Sequence, residues 1–423
     1  MSRAKAGAER AFAAVLALWI AGLLSVPAQG AQWQFDPRVG LGGVYDDNYL
    51  LGSRAQDKFS VYGANLDASL QLTRTTPTTT ILFVPRLWSS YFPGHHEDDA
   101  NDQFAYFSFD RKGETSDAGV KVDYRRQTLL KQSLPDTDVN TGLGQPSRGT
   151  DIGVLFSRAR QTLLLVDPHG QLVLTPRQSL ELRGEFLNAT YSYSSQLARQ
   201  DYQPYKNALA SLAYQFAMSL RSTLIVRGIG SKFLPDQGGD STTYGVEGEW
   251  STRVTETSQY YVRAGIQHTQ FDANTAAGTP ARTANSFAGG AGVNWSFQVT
   301  TVFVDATRAV SPSAQGFALL QDQLRVRVEH RVTPRLADFV GITGIKNQSL
   351  GNASTALSDR RYIAAITGLE WRMYREWSLT GTYSYTWQRY VNQQTTAHSN
   401  AIDISVIYEP HRAENGRAIT IGY

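Results

Sequence analysis

Residues 361–390 read RYIAAITGLEWRM, then YRE, then WSLTGTYSYTWQRY, and apolar and polar residues alternate in both longer segments. In the second segment one parity carries Trp377, Leu379, Gly381, Tyr383, Tyr385 and Trp387, and the other carries Ser378, Thr380, Thr382, Ser384, Thr386 and Gln388. Because successive side chains of a strand point to opposite faces, this pattern predicts a β-hairpin that turns at 374–376. A soluble domain would bury the apolar face in a core, whereas a membrane barrel would turn it toward lipid.

The N-terminus has the pattern of an export signal. Arg3, Lys5 and Arg10 form a positive region, the apolar run 11–26 follows, and small residues in 27–31 suit a cleavage site. The alternative, a membrane anchor, needs a longer apolar run. We therefore predict a cleavable signal peptide at residues 1–30 and a mature domain at residues 31–423.

The composition narrows the class of the mature chain. The full sequence has no Cys, which excludes disulfides and thiolate metal sites, and its formal net charge of +3 is too small to indicate nucleic acid as a partner. The 21 Tyr, 8 Trp and 36 Gly residues fit alternating strands better than a packed α/β enzyme. A secreted β-helix or propeller is the alternative that composition leaves open.

Short turns and longer polar loops alternate along the whole mature chain. Eight short turns are predicted, at 74–78, 112–115, 175–178, 218–221, 254–257, 298–300, 332–335 and 374–376. Nine longer connections separate them, at 46–57, 93–101, 127–157, 194–203, 234–240, 272–284, 311–315, 350–359 and 391–399. Transmembrane barrels of the bacterial outer membrane sort their connections in this way. The pattern predicts an all-β, transmembrane antiparallel β-barrel of about 18 strands, with 16 as the next choice and both termini in the periplasm.

The C-terminal segment leaves the closing strand open. Residues 400–408 (NAIDISVIY) read as the eighteenth strand, but 418–423 (AITIGY) alternates again and ends on an aromatic residue. Barrels handled by the assembly machinery usually end in such a strand. Ile419, Ile421 and Tyr423 are therefore predicted to form the closing strand and the assembly signal.

If the apolar faces meet lipid, the charged residues of the opposite parity face the interior. The predicted lumen-lining residues are Lys121, Asp123, Arg125, Glu181, Arg183, Glu185, Glu247, Glu249, Arg263, Arg325, Arg327, Glu329, Arg331, Glu370 and Arg372. They could line a conduit for a polar or charged solute, or they could pair across strands into a structural ladder that fills the interior. The run Arg325, Arg327 and Arg331 is the one that could select anions.

Signals for catalysis and for metal binding are weak. The loop sequence His95-His96-Glu97-Asp98-Asp99 could hold a divalent ion, but a charge run in a loop is more often solvated. Asp46-Asp47-Asn48 lacks the Gly and Glu of a calcium loop. No nucleophile elbow, phosphate loop or zinc pattern is found. We expect no enzyme activity, no catalytic residue, no metal and no cofactor.

The segment FDPRVGLGGVYDDNYLLG (35–52), with turn units such as LTPRQSLELRG and the Tyr-rich hairpins, resembles the outer-membrane β-barrel proteins found with exopolysaccharide synthesis and surface-sorting systems of Gram-negative bacteria. The chain departs from that family in ending on Tyr423. The resemblance implies a role in moving or anchoring a secreted polysaccharide and carries over no catalytic residue.

Two functions from different classes follow. One is a conduit or export component for a surface or secreted polysaccharide or another polar solute. The other is a non-conducting barrel that serves as a scaffold or partner platform for a secretion system. The 127–157 loop separates them, because a loop of this length can fold inward and constrict a pore. Expected partners are outer-membrane lipid and lipopolysaccharide, the barrel-assembly machinery and, in the export case, polysaccharide-export proteins.

Overall fold

The computed structural model describes residues 31–53, 57–129, 159–192, 202–236, 239–273, 280–313, 316, 318–350, 359–391 and 395–410. These residues form one sheet of 18 strands. The strands are β1 Gln32–Asp46, β2 Val61–Thr75, β3 Thr79–Tyr91, β4 Ala100–Lys112, β5 Ser116–Thr128, β6 Arg160–Thr175, β7 Gln178–Ser192, β8 Tyr205–Ala217, β9 Ser222–Pro235, β10 Ser241–Thr255, β11 Ser258–Phe271, β12 Arg282–Ser296, β13 Thr300–Pro312, β14 Ala318–Thr333, β15 Leu336–Ser349, β16 Arg360–Arg372, β17 Trp377–Tyr390 and β18 Thr395–Tyr408. A short 3-10 helix, His96–Asp98, lies in the β3–β4 loop.

Each strand pairs antiparallel with its neighbours in the sequence, and β1 pairs with both β2 and β18. The sheet is therefore a closed barrel, as the alternation of turns and loops predicts. All eight short turns lie at one end, which we call the turn side, and the nine longer connections lie at the other, the loop side. The start of β1 and the end of β18 are on the turn side. Within the described residues, no helix is long and apolar enough to cross a membrane.

The Thr-Pro turns owe their shape to the threonine hydroxyl. The Oγ1 atom of Thr333 accepts hydrogen bonds from the backbone N–H groups of Arg335 (3.2 Å) and Leu336 (3.0 Å). Thr175 accepts the N–H of Arg177 in the same way (3.3 Å), and Thr76 accepts that of Thr79 (2.9 Å). The proline between them fixes φ and has no N–H to satisfy. The chain thus reverses within a few residues, which keeps neighbouring strands in register.

The two faces of the sheet differ in chemistry. Large apolar residues of one parity are exposed, and they include Leu41, Leu182, Leu212, Trp250, Val262, Ile266, Phe287, Leu324, Leu369, Trp371, Trp377, Tyr383 and Ile404. Residues of the other parity are largely polar and buried, because side chains on the concave face of a closed sheet crowd together. On the outer face, aromatic residues gather toward the turn side, namely Trp33, Trp295, Trp371 and Trp377.

An apolar outer belt edged by aromatic residues fits a bilayer and its interfaces. A closed antiparallel barrel with an even number of strands, short turns at one end and longer loops at the other is the architecture of bacterial outer-membrane proteins. The protein is accordingly an outer-membrane β-barrel.

The barrel closes through β18, whose residues Ala401–Tyr408 pair with Val39–Asp46 of β1. This corrects the expectation that Ile419, Ile421 and Tyr423 form the closing strand, since β18 occupies that position. Those three residues lie outside the described residues, and so does the proposed signal peptide at 1–30. Their role as an assembly signal stays a prediction.

The β1–β18 seam is reinforced at the loop side by the segment Asp46-Asp47-Asn48. Asp46 accepts a hydrogen bond from the Ser399 hydroxyl (2.6 Å), and Asp47 accepts from the backbone and side-chain nitrogens of Asn400 (2.7 and 2.6 Å). The Asn48 side chain donates to the carbonyls of Gly52 (3.0 Å) and His398 (2.8 Å). The carboxylates of Asp46 and Asp47 thus accept hydrogen bonds from the last strand of the barrel, and the side-chain oxygen of Asn48 accepts one from Gly52.

Candidate functional site: the inner wall of the barrel

The inner wall consists of the polar parity of all 18 strands. The strand registers place every charged residue that the sequence assigns to the lumen on this face. Lys121 lies on this face in β5, and Arg331 and Arg372 stand at the turn-side ends of β14 and β16. Glu185 and the buried Glu370 lie on the walls of β7 and β16. The remaining residues take part in hydrogen-bonded or ionic groups, which fall into four regions.

The first region spans β11 to β14 and has Asp305 at its centre. The Tyr261 hydroxyl donates to Oδ1 of Asp305 (2.5 Å), and the Arg325 guanidinium donates to Oδ2 (2.6 Å). Asp305 is 1% exposed and Arg325 is 8% exposed, so the pair is shielded from solvent. Arg325 also lies over the ring of Phe303, 5.4 Å from its centroid. A charge buried this deeply requires its partner, because an unpaired buried ion is costly.

The Tyr261 ring reaches Asp305 by crossing the intervening strand β12, where the wall is made of glycine. A Cβ atom on Gly292 would stand 2.5 Å from Cε1 of Tyr261, and one on Gly290 would stand 3.2 Å from its hydroxyl oxygen. The glycines therefore leave the space in which the ring lies flat against the sheet. The same arrangement recurs at Gly368, where a Cβ would meet the ring of Phe339.

The second region lies on β9 to β11. Arg263 is 3.5 Å from Glu247, and Arg227 is 4.0 Å from both Glu247 and Glu249. Gln267 donates to Glu247 at 3.3 Å. Arg227 is one of the inner charged residues that the sequence prediction does not include, because its strand, STLIVRGIG, carries isoleucine at both neighbouring inward positions and gives no polar alternation. Asp305, Asp67 and Asp167 are others. Two carboxylates thus share two arginines across three strands.

The third region is on β14 and contains the run of arginines that the sequence predicts could select anions. Arg327 donates through Nε to Glu329 on the same strand (2.7 Å) and lies over the ring of Phe339. Arg325 is held by Asp305, as described above. Arg331 stands at the turn-side end of the strand and is exposed. Two of the three arginines therefore have their charge balanced within the wall.

The fourth region covers β1 to β8. Asp67 accepts from Arg38 (3.0 Å) and from Arg86 (2.7 Å), and Arg183 holds both oxygens of Asp167 (2.9 and 2.5 Å). The other contacts are Arg125 with Asp123 at 2.8 Å, Gln215 with Glu181 at 2.6 Å and His169 with Asp110 at 3.1 Å. Positive and negative side chains thus alternate around the wall.

At the loop side, part of the β1–β2 loop folds against the inner wall, which the sequence does not predict. Leu51 packs with Ile345, Tyr362, Ala364 and Ala397 of β15, β16 and β18. Its carbonyl accepts a hydrogen bond from Gln388 of β17 (3.2 Å). The described part of this loop therefore narrows the mouth of the barrel. The long loop that was expected to do so, at 127–157, lies mostly outside the described residues.

Two histidine clusters lie away from the inner ion pairs. His95, Glu97 and Asp98 bring ligand-type atoms within 4.8 Å of one another in the β3–β4 loop. His96 contacts Asp99 at 3.3 Å. His268 is on the outer face, where its Nδ1 atom is 2.7 Å from Oδ1 of Asn285. Neither cluster places a serine hydroxyl beside a histidine and an acid in the described residues.

The width of the wall determines how much of the interior its own side chains can fill. Eighteen strands about 4.8 Å apart and tilted by about 40° enclose a circular barrel about 36 Å in backbone diameter. Side chains from opposite walls cannot meet across that distance. Barrels of this strand number characteristically enclose an aqueous space rather than a packed core.

Comparison with solved structures finds barrels of the same kind at low identity. OpdK, an outer-membrane protein of Pseudomonas aeruginosa, is 11% identical over 89% of this chain and 98% of its own, with a TM-score of 0.42. A BenF-like porin from Pseudomonas fluorescens Pf-5 is 10% identical over 89% and 99% of the two chains, with a TM-score of 0.45. OccK2 (OpdF) from Pseudomonas aeruginosa, solved with glucuronate, is 9% identical over 90% and 100%, with a TM-score of 0.45.

No protein-family model matches the chain, and no curated protein sequence does. The structural similarities are too distant to assign a substrate. The properties of the inner wall are therefore the basis for the function.

Proposed function

We propose that this outer-membrane barrel is a passive, non-catalytic conduit for polar or charged solutes. The observation that carries the proposal is the inner wall itself, in which the polar side chains of an 18-stranded sheet, acidic and basic ones among them, face a space wider than they fill. Such a wall offers a solute hydrogen-bond donors and acceptors that can replace part of its hydration water. The loop side, which we place at the cell surface, would be the entrance.

The expected substrate class follows from the charge balance. Asp305, Glu247 and Asp67 each lie between two partners, so the wall has no long stretch of one sign in the described strands. Fields from paired charges fall off within a short distance of the wall. We therefore expect weak ion selectivity and passage of small polar solutes. The narrower role in exopolysaccharide export stays a prediction, since the described wall carries no feature that is particular to a polymer.

A non-conducting scaffold is the second candidate, and the same ion pairs favour it. Arg325 with Asp305 and Arg183 with Asp167 have the short, buried geometry of structural contacts. In this case the charges would stabilise the barrel, and partners would bind to its loops. The two candidates differ in whether the purified protein passes current.

The test is single-channel recording of the purified protein in a planar bilayer with a salt gradient. The conduit proposal expects discrete conductance and a reversal potential close to zero. The variant Arg325→Ser with Arg327→Ser leaves Asp305 and Glu329 without their cations, so its reversal potential should shift toward cation preference. The charge-balanced variant Asp305→Asn with Arg325→Gln is the control, and its reversal potential should match that of the natural protein.

Each outcome decides between the candidates. A wild-type protein that is folded and heat-modifiable but passes no current overturns the conduit and supports the scaffold. Conductance whose selectivity is the same in all three proteins keeps the conduit but places the ion path away from the β13–β14 wall.

A further inference from the structure

A row of basic side chains crosses the outer face of five adjacent strands. The registers of β13 to β17 place Arg308 opposite Asp322, Asp322 opposite Lys346, Lys346 opposite Arg361, and Arg361 opposite Arg389. All five share the parity of exposed apolar residues such as Leu324 and Ile363, so they point away from the lumen. We call this set the outer basic row. Four positive charges and one negative charge give it a net charge of +3.

Without a bound anion, the outer basic row should be electrostatically unfavourable. Lys346, Arg361 and Arg389 are immediate cross-strand neighbours, and like charges directly opposite each other repel. Cations on the lipid face of a barrel are also unfavourable. Arg361 and Arg389 are exposed, and Arg308 is 40% exposed even though it contacts Asp322 at 3.4 Å.

The surroundings do little to neutralise the row. In the sequence, segments 314–317, 351–358 and 392–394, which connect these strands, read AQGF, GNASTALS and NQQ and contain no acidic residue. Asp359 lies two residues from Arg361, and one of its oxygens accepts the backbone N–H of Ser349 (3.1 Å). Even with Asp359 counted, positive charge is in excess.

The row stands at the edge of the apolar belt. It lies near the loop-side ends of its strands, and Arg361 and Arg389 are next to the terminal residues of β16 and β17. One step toward the turn side on the same face are Ala306, Leu324, Gly344, Ile363 and Trp387. The five strands span about 19 Å across the barrel. A ligand of this surface needs negative charge at the level of the row and apolar chains beneath it.

We propose that the outer basic row binds the phosphate groups of lipid A, the phosphorylated, multiply acylated glycolipid of the outer leaflet. Arg361 and Arg389 hold phosphate oxygens through paired N–H donors, and Lys346 and Arg308 supply further positive charge. The acyl chains lie on the apolar strip that continues from Leu324 to Trp387. This inference rests on the loop side facing the cell surface and does not depend on whether the barrel conducts.

The test measures lipid binding by native mass spectrometry of the detergent-solubilised protein. The probes are bisphosphorylated lipid A, the same lipid A with both phosphates removed, and phosphatidylglycerol. The natural protein should retain bisphosphorylated lipid A. The Arg361→Gln, Arg389→Gln variant should bind it with an affinity lower by a factor of about ten or more. Added salt should weaken binding to the natural protein, because the contacts are ionic.

A matched control exists on another part of the wall. Lys206 and Lys232 also point outward near the loop side, and the residues directly opposite them are uncharged: Asn188 and Leu234 for Lys206, and Ala208 and Thr242 for Lys232. The Lys232 ammonium is 4.0 Å from Asp240, so these two lysines do not form a row of uncompensated cations. The variant Lys206→Gln, Lys232→Gln removes the same charge and should bind lipid A as the natural protein does. Heat-modifiability on gels shows that each variant is folded before binding is compared.

Three results would overturn the proposal. If dephosphorylated lipid A binds as tightly, the phosphates are not recognised. If phosphatidylglycerol binds as tightly with the same loss in the arginine variant, the row is a general anionic-lipid surface. If the lysine control loses as much affinity as the arginine variant, the position of the row has no importance.

Discussion

At the scale of single residues, the inner wall is held by carboxylates that serve more than one partner. Asp305 of β13 accepts hydrogen bonds from Arg325 on the adjacent strand β14 and from Tyr261 on β11, two strands away on the other side. Charge-assisted hydrogen bonds of this kind are stronger than neutral ones. They matter most where both partners are shielded, because the alternative is an unpaired buried charge. The contribution of such a residue is best measured by removing one partner and then both.

The variant Asp305→Asn should destabilise the barrel. Asparagine keeps the shape of the side chain but leaves the buried Arg325 without a counter-charge, at a cost of about 2–4 kcal/mol. The free energy of unfolding can be measured by urea titration of the folded protein in lipid vesicles. The double variant Asp305→Asn, Arg325→Gln should recover most of the loss, because no buried charge is left alone. Equal stability of the single variant and the natural protein would show that solvent reaches Arg325.

At the scale of elements, the seam between the first and last strands is one of the two shortest paired regions of the barrel, equal to the β12–β13 pairing over Gly289–Ser296. β1 and β18 pair over Val39–Asp46, whereas β1 and β2 pair over Gln32–Asp46. Gly42 lies in the seam with its Cα facing the lumen, and a Cβ there would stand 2.9 Å from the carbonyl oxygen of Ile404. The close approach of the strands and the hydrogen bonds of the Asp46–Asn48 segment, which we call the seam clamp, together stabilise this short pairing.

Replacing Asn48 by alanine should loosen this seam. The side chain satisfies the carbonyls of Gly52 and His398, and its oxygen accepts the Gly52 N–H at 2.9 Å, so three hydrogen bonds are lost in a buried position. A loss of about 2–3 kcal/mol is expected, seen as a lower temperature at which the heat-modifiable band unfolds.

The matched control is Asn101→Ala, which removes one exposed hydrogen bond from the Ser89 hydroxyl, between β3 and β4 on the outer face and outside the β1–β18 pairing. Its unfolding temperature should stay within about 1–2 °C of the natural protein. A similar decrease of the unfolding temperature in both variants would mean that the seam clamp has no special role in closing the barrel.

At the scale of the whole molecule, the polarity of the two faces orients the barrel in the bilayer. Trp250, Trp371, Trp377 and Tyr383 are each more than 40% exposed on the outer face. Glu370 and Thr382 are buried on the inner face, and Glu249 lies there within reach of Arg227. A shift of one residue in any register would exchange the two sets, so the faces can be tested at single positions.

Spin labels on single cysteines, which the Cys-free chain permits without background, should report these faces. Labels at Trp250, Trp371, Trp377 and Tyr383 should be relaxed by oxygen dissolved in the bilayer. Labels at Glu249, Glu370 and Thr382 should be relaxed by a water-soluble nickel complex if the lumen is hydrated. Lipid exposure of the second set would contradict the register of the strands that carry them.

The sequence by itself determined the fold, because strand alternation and turn chemistry are local. The hairpin at 361–390, the Thr-Pro turns and the sorting of short and long connections required only the period of a strand and the geometry of a turn. They predict an antiparallel barrel of about 18 strands, and the structure confirms it.

Tertiary structure decided which charges pair, because pairing depends on register between strands distant in sequence. Asp305 meets Tyr261 across 44 residues, and Asp47 meets Asn400 across 353. The balance of Arg325 and Arg327, the role of the Asp46–Asn48 segment, the fold of Leu51 against the inner wall and the outer basic row all depend on it. A sequence shows that side chains alternate between two faces, but only the closed sheet shows which of them become neighbours.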